Sequence, residues 1–481
     1  MRLTACSIFI FSAIITTGGI MAAEMRVMRG SAGETIRGRV EAIDGNTITL
    51  RREDWKTFDI PLARFTPNEQ ARIRADAEAL THAATKINEA AGHPLVTLTP
   101  LDGREAAGIA QALTIPRESS TSHGSSWRRY AARQGGGAYR LFGAMPYSTA
   151  LYSDADGLVA HLSIVYANKG DFGSTAGTGE DHFGGGTSAT RNTLADAMSA
   201  DATAITEALT GAIGEPTTQR FGERQARRTV TRWDWHGHSF ILSNEEGEYV
   251  GLAIMSTDAA DGGGRTGRIS NNEIRDRLAA GVRRDENGDV WITDIPMVDQ
   301  GPKGYCVPAT FERVMRALGV EADMYLLAMI GETKAGGGTS VRRLIDNVSS
   351  HVRSKGRRPH EETIRELRIR SVKRRIDEGI PVMWTMHSLP QYNEIANENT
   401  SARSQEDDHE ARLAAMRERI STLASGPEPE GNHHICMIIG YNEKTGELAV
   451  SDSWGARYEL RWVPIEAAQW VSRNELFYIL P

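Results

Sequence analysis

Between residues 34 and 65 apolar and polar positions alternate with a period of two, which predicts strands with one buried face. The first run, 35–42, ends at Asp44-Gly45-Asn46, a hairpin turn signal, and leads into a second run at 47–52 and a third at 57–62. The pattern then changes. Thr66 reads as an N-cap, Pro67 as the first helical residue and Glu69 as its capping-box partner, opening a helix that continues through Ala90. Between 93 and 287 the signals are weaker. Strand-like runs fall at 139–142, 158–166, 240–243 and 249–255. A helix is predicted over 192–213, with Leu194, Met198, Ile205 and Leu209 on one face. The tract 170–188 is glycine-rich and reads as a loop. After Cys306, apolar residues recur at Phe311, Val314, Met315 and Leu318, one face of a helix that Gly319 ends. A second helix carries Val341, Leu344, Ile345 and Val348, with Thr339 as its N-cap behind Gly336-Gly337-Gly338. Residues 432–441 are apolar on both faces and predict a buried strand, 442–446 a turn and 447–452 the returning strand.

Composition narrows what such elements can do. Of 481 residues, 40% are hydrophobic, enough for packed cores, and three are cysteines, too few for a disulfide scaffold or a multi-cysteine zinc module. Mean hydropathy is -0.38, which excludes a polytopic membrane protein. The net charge of -7 leaves no electrostatic case for nucleic acid as the main partner. Residues 1–23 read as a secretory signal: Arg2, an apolar stretch at 8–15, then small residues before a cleavage site near Ala23. The stretch is shorter than a membrane span needs, so no stable membrane anchor is expected, an uncleaved N-terminal anchor being the alternative. Cys6 precedes the apolar stretch, so it does not form a lipid-attachment box. The expected location is secreted or periplasmic, and only Cys306 and Cys436 remain after cleavage.

Cys306 falls at a helix N-terminus, where unpaired N–H groups and the macrodipole favour a thiolate. Pro302 and Gly304 let the chain turn just before it, and Pro308 fits the first turn. A hairpin turning near Lys444 brings His434 beside Asp452, while His433 points to the other strand face. Thiol, imidazole and carboxylate together form a Cys–His–Asp constellation: the ring takes the thiol proton and the carboxylate orients the ring. Cys436 shares the strand face of His434 and reads as a core thiol, with a disulfide to Cys306 as the sharper alternative. Trp454 either shields the His–Asp pair or packs in the core. His236 and His238, in Trp233-Asp234-Trp235-His236-Gly237-His238, share one face of a predicted strand. No third ligand can be placed, so they read as exposed structural histidines; no metal and no cofactor are expected.

These residues resemble two families. Gln300 followed by five residues and Cys306, His434 followed six residues on by Gly440-Tyr441, and Asp452-Ser453-Trp454-Gly455 are similar in order and spacing to papain-like cysteine peptidases. Asp in place of the usual Asn, with "VDQGPKGYCVPA" and "GGGTS", resembles the bacteriocin-processing, double-glycine peptidase-like branch. The resemblance spans 288–481 and implies Cys306 as nucleophile, His434 rather than His433 as base, Asp452 as orienting group and Gln300 as oxyanion donor. No transmembrane or ATPase segment follows in this chain, so a free hydrolase is expected in place of a transporter-linked one. Residues 25 to about 75, through "DGNTITLRRED" and "IPLARFTPNEQ", resemble the SLA-type homology domain, an SH3-like barrel. That implies a binding or spacer module whose ligand is not named.

The expected fold class is therefore α+β and multidomain: a signal at 1–23, a small β-barrel at 25–78, a mixed α+β domain at 93–287 and a papain-like peptidase domain at 288–481. The expected function is an exported cysteine peptidase acting on a peptide or protein substrate. Acyl transfer of the transglutaminase or amidase type by the same triad, and a non-catalytic peptide- or surface-binding protein, stay open. Residues 393–432 read as an insertion with a charged, solvated helix over 405–422, ending just before His434, where a lid over the cleft is the alternative.

Overall fold

The computed structural model describes residues 25–52, 56–131, 139–172, 194–265, 267–301, 304–334, 338–403 and 409–481. The expected signal, most of the tract 170–188, Pro302, Gly336, Gly337 and the start of the expected helix at 405 lie outside them. Three antiparallel sheets follow one another along the chain.

The first contains β1 (Arg26–Arg29), β2 (Thr35–Asp44), β3 (Thr47–Arg51) and β4 (Thr57–Pro61) in that order. The alternation works as read, sending Met28, Val40, Ile48 and Leu50 into a small core. The helix Pro67–Ala91 starts where its cap signals place it, with the Thr66 side chain accepting from the Glu69 N–H at 3.3 Å. It serves two cores at once: Ile73 closes the first sheet, while Leu80, Ala84 and Ile87 pack into the middle region.

The middle sheet has eight strands: β5 (Arg117–Thr121), β6 (Gly124–Tyr130), β7 (Ser148–Ser153), β8 (Val159–Asn168), β9 (Thr217–Phe221), β10 (Arg228–Trp235), β11 (His238–Glu245) and β12 (Tyr249–Ser256). Their order is β5-β6-β7-β8-β12-β11-β10-β9. The helix Leu194–Ile213 lies on this sheet through Met198, Ile205 and Leu209, as its pattern predicts. The expected strand at 139–142 is instead a tight turn, with Phe142 and Gly143 at φ 53 and 78° between a Leu141–Ala144 bridge. Leu141 and Phe142 are apolar because the turn is buried, not because it pairs in the sheet. The two histidines also differ from expectation. β10 ends at Trp235 and β11 begins at His238, so His236-Gly237 is a hairpin turn and both rings are buried. His236 Nε2 sits 2.9 Å from the Glu41 carbonyl, joining the middle region to the first sheet. Among the described residues no group of three or more His, Cys, Asp or Glu is arranged to hold a metal.

The third sheet contains β13 (Val282–Arg284), β14 (Asp289–Ile292), β15 (Arg358–Thr363), β16 (Val382–His387), β17 (His433–Asn442), β18 (Glu447–Ser451), β19 (Arg461–Pro464) and β20 (Ser472–Leu480). Its main path is β13-β14-β17-β16-β20-β15, with β18 and β19 added beside β17. Residue 288 lies in the turn between β13 and β14, and the helix Asn271–Ala280 adds Ile274 and Leu278 to the same core. β17 is paired by β16 and then β14 along one side and by β18 along the other. That close approach needs Gly440, where a Cβ would stand 2.5 Å from the Val290 carbonyl oxygen.

The segment 393–432 is not a solvated appendage. Residue 393 falls inside the helix Pro390–Ala402, which buries Tyr392, Ile395 and Ala396. A following helix, His409–Ala424, hides a stripe of Leu413, Met416 and Ile420 among its charges. Arg417 Nη2 donates to the Thr445 carbonyl at 2.7 Å, so this helix is tied to the end of β17 remote from His434. The helix Val341–Ser354 is capped by Ser340, not Thr339, whose hydroxyl instead meets Thr333 at 2.6 Å. No helix among the described residues is long and apolar enough to cross a membrane.

Candidate active site

Cys306 is the first residue of the helix Cys306–Ala317, as its sequence context predicts. The helix is buried on every side, not only along its apolar stripe. Its residues Thr310 and Arg313 face the strands that carry the other candidates. Thr310 Oγ1 reaches the Ile435 carbonyl and Ser453 Oγ, each at 3.4 Å. Arg313 Nη2 donates to Ser451 Oγ at 2.6 Å and Nε to the Pro296 carbonyl at 2.9 Å. These bonds fix the thiol relative to β17 and β18.

His434 is the second residue of β17 and is buried, while His433 beside it is exposed and meets the His387 ring. The alternation of side chains along a strand separates the two. The register Met437–Ser451, extended one residue, places Asp452 opposite Cys436 and diagonal to His434 on the same face. His434 Nε2 lies 2.6 Å from Asp452 Oδ1. The other ring nitrogen is thereby left free of the carboxylate, and Cys306 lines the same cleft as the ring, close enough for the two groups to shift each other's titration. Trp454 is half-buried and stacks on the His434 ring at 4.7 Å between centroids, so it covers one face of the imidazole.

Burial pushes the Cys306 thiol up, but the His434 ring beside it outweighs burial and leaves the thiol below its ordinary value. Burial disfavours a charged His434, yet its hydrogen bonds to Asp452 and Cys306 dominate and raise it to about 9. Burial raises Asp452, but His434 and Arg461 hold the carboxyl below its usual range. The three directions agree on one charge state: thiolate, imidazolium and carboxylate in a row. Cys436 is fully buried and pushed well up, with its sulfur 3.8 Å from Met386 Sδ, and both cysteines are free. It is a core thiol.

Gln300 stands on the loop before Cys306. Its N–H donates to the Ser453 carbonyl at 2.8 Å, which ties this loop to the residue after Asp452. Gln300 Oε1 is buried without a hydrogen-bond partner among the described residues. The loop is braced from outside by the middle region. Ser119 Oγ accepts from the Met297 N–H at 2.9 Å, Glu118 Oε1 from the Asp299 N–H at 2.8 Å, and the Tyr130 hydroxyl donates to the Asp299 carbonyl. At its far end the Tyr305 hydroxyl donates to Asn168 Oδ1 at 3.0 Å. Gly301, at φ 74°, lets the chain turn with the Tyr130 ring 3.2 Å from where a Cβ would be. Tyr130, Tyr147, Val165 and Tyr249 from the middle region form one core with Val298, Tyr305, Ala309 and Met324.

Sequence reasoning missed Arg461. Its Nη2 bonds Asp452 Oδ2, while Nη1 reaches Asn393 and Asn397 at 3.1 and 3.3 Å. The available signal is an arginine inside the apolar strand run Leu460-Arg461-Trp462-Val463, where a buried cation demands a partner. A cleft of about 730 Å³ opens onto the pair, lined by Cys306, His434, Val341, Thr385 and Phe477 among others.

A sequence profile described as the Peptidase_C39 like family matches residues 292–474. Among solved structures, the peptidase domain of Streptococcus ComA, described as a bi-functional ABC transporter involved in a quorum-sensing pathway, aligns at 11% identity. The alignment covers 38% of this chain and 97% of that one, with a TM-score of 0.24. No curated protein matches the chain. By the family match, the C-terminal region is similar to the C39-like cysteine peptidases.

Proposed function

We propose that the protein is an exported cysteine peptidase that hydrolyses peptide bonds through Cys306, His434 and Asp452. The observation that carries this reading is Cys306 and His434 lining one cleft, with His434 Nε2 2.6 Å from the Asp452 carboxylate. The thiolate attacks the peptide carbonyl carbon and forms a tetrahedral oxyanion, which the Cys306 N–H at the helix start and the Gln300 amide stabilise. Imidazolium His434 gives its proton to the departing amine, the C–N bond breaks, and a thioester remains. Neutral His434 then takes a proton from water, whose oxygen attacks the thioester, and the thiolate leaves with the carboxylate product. Asp452 keeps the ring oriented in both halves. The apolar stretch at 8–15 supports export. The four-stranded sheet at the N-terminus supports an SH3-like binding or spacer module.

Labelling with a thiol-reactive peptidyl probe tests the proposal. Wild type is expected to label, and Cys306→Ala and His434→Ala are not. Equal labelling of Cys306→Ala would sink it.

A further inference from the structure

The chain carries a net charge of -7, yet the cleft holding Cys306 and His434 is cationic. Its charged lining residues are Lys334, Arg342 and Arg473 against a single acid, Glu475. Glu475 is already engaged: Arg342 Nη2 donates to it at 3.3 Å and the Thr385 hydroxyl at 3.2 Å. Arg342 in turn donates to Glu361 at 2.6 Å. That leaves Lys334 and Arg473, both exposed and without a hydrogen-bond or ion-pair partner among the described residues. They come from separate elements, Lys334 from the loop before the helix Val341–Ser354 and Arg473 from β20, so the fold brings them to one cleft. His433 lines the same wall.

Two unpaired cations facing a cleft on an acidic protein raise the local concentration of anionic ligands and repel cationic ones. Resting on the cysteine-peptidase reading, we infer that this cleft selects peptide segments bearing acidic side chains next to the scissile bond, with Lys334 and Arg473 as the specificity-determining residues. Each exposed charge contributes modestly, so the expected preference from the pair is on the order of tenfold.

The test uses peptidyl acyloxymethyl ketones that differ only in carrying Glu or Lys at positions flanking the reactive carbonyl. With the full chain, the Glu probes are expected to label Cys306 about tenfold faster than the Lys probes, and the gap is expected to narrow as ionic strength rises. The combined variant Lys334→Glu, Arg473→Glu is expected to reverse the order. Equal rates for the two probe sets in wild type, or an unchanged preference in the variant, overturn the inference. Iodoacetamide, small and uncharged, separates this from the underlying reading. It is expected to alkylate Cys306 faster in wild type than in His434→Ala, and if it does not, the peptidase reading itself fails.

Discussion

The bond between Tyr305 and Asn168 offers a direct test of whether the middle region takes part in catalysis. Tyr305 immediately precedes Cys306, and its hydroxyl donates to Asn168 Oδ1, a residue of β8 in a different sheet, at 3.0 Å. The two residues are 4% and 1% exposed, so water has no ready path to replace the bond. Tyr305→Phe deletes one oxygen and keeps the ring packed against Tyr325. Removing one partner from a buried hydrogen bond costs about 1–3 kcal/mol. If that strain reaches the neighbouring residue, a displacement of the thiol well under 1 Å slows reaction by roughly tenfold. The expected result is a kcat/KM and a Cys306 alkylation rate reduced by about that factor in Tyr305→Phe and in Asn168→Ala. The double variant is then expected to be no slower than either, giving a coupling of roughly 1 kcal/mol in the cycle. The assay is alkylation kinetics over a pH series, because lost positioning lowers the plateau without moving the limbs. Additive effects within about 0.5 kcal/mol, or single variants as fast as wild type, refute the idea that the middle region braces the nucleophile loop.

Alkylation of Cys306 is expected to gain its rate below the ordinary thiol value and to lose the imidazolium-dependent component near pH 9, where His434 deprotonates. Asp452→Asn removes the strongest raising partner and is expected to bring that alkaline limb down, a shift readable in a pH–rate profile. The raised His434 value also stabilises the fold: the contribution is complete below about 6.5 and disappears as pH climbs through about 9, so the melting temperature is expected to fall across that window. Arg461→Met strips the buried Asp452 of its second partner and is expected to destabilise by about 3 kcal/mol, with a raised Asp452 visible as acid-side loss of activity. Gly440→Ala forces a Cβ against Val290 and is expected to cost about 1–3 kcal/mol in thermal unfolding while leaving Cys306 intact by mass.

Where local pattern and chemistry coincide, the chain could be read directly. The Thr66-Pro67-Glu69 start, the helix beginning at Cys306 and the hairpin placing Asp452 beside His434 all follow from short-range rules, and the structure brings these residues together. A bulge at Ile439 shifts the β17–β18 register, yet the His434–Asp452 pair survives as a diagonal contact. What escaped reading depends on distant partners. β5 and β6 are rich in Ser and Arg and have no apolar alternation, because Glu118, Arg128, Tyr152 and Glu312 satisfy one another inside the protein. Burial without pairing misled in the opposite direction at Leu141 and Phe142, whose apolar character mimics a strand. His236 and His238 fit a strand spacing, but Gly237 at φ 81° makes the turn that parts them. Arg461 gave no motif at all, since its meaning comes only from Asp452 across the sheet.

The helix Pro67–Ala91 has a consequence for how far apart the first sheet and the thiol are kept. Its 25 residues form a rod about 37 Å long, embedded in the first sheet at one end and in the middle region at the other. The middle region in turn is packed against the loop that carries Gln300 and leads to Cys306. The first sheet is therefore held at a set stand-off from the thiol, without the slack of a flexible linker.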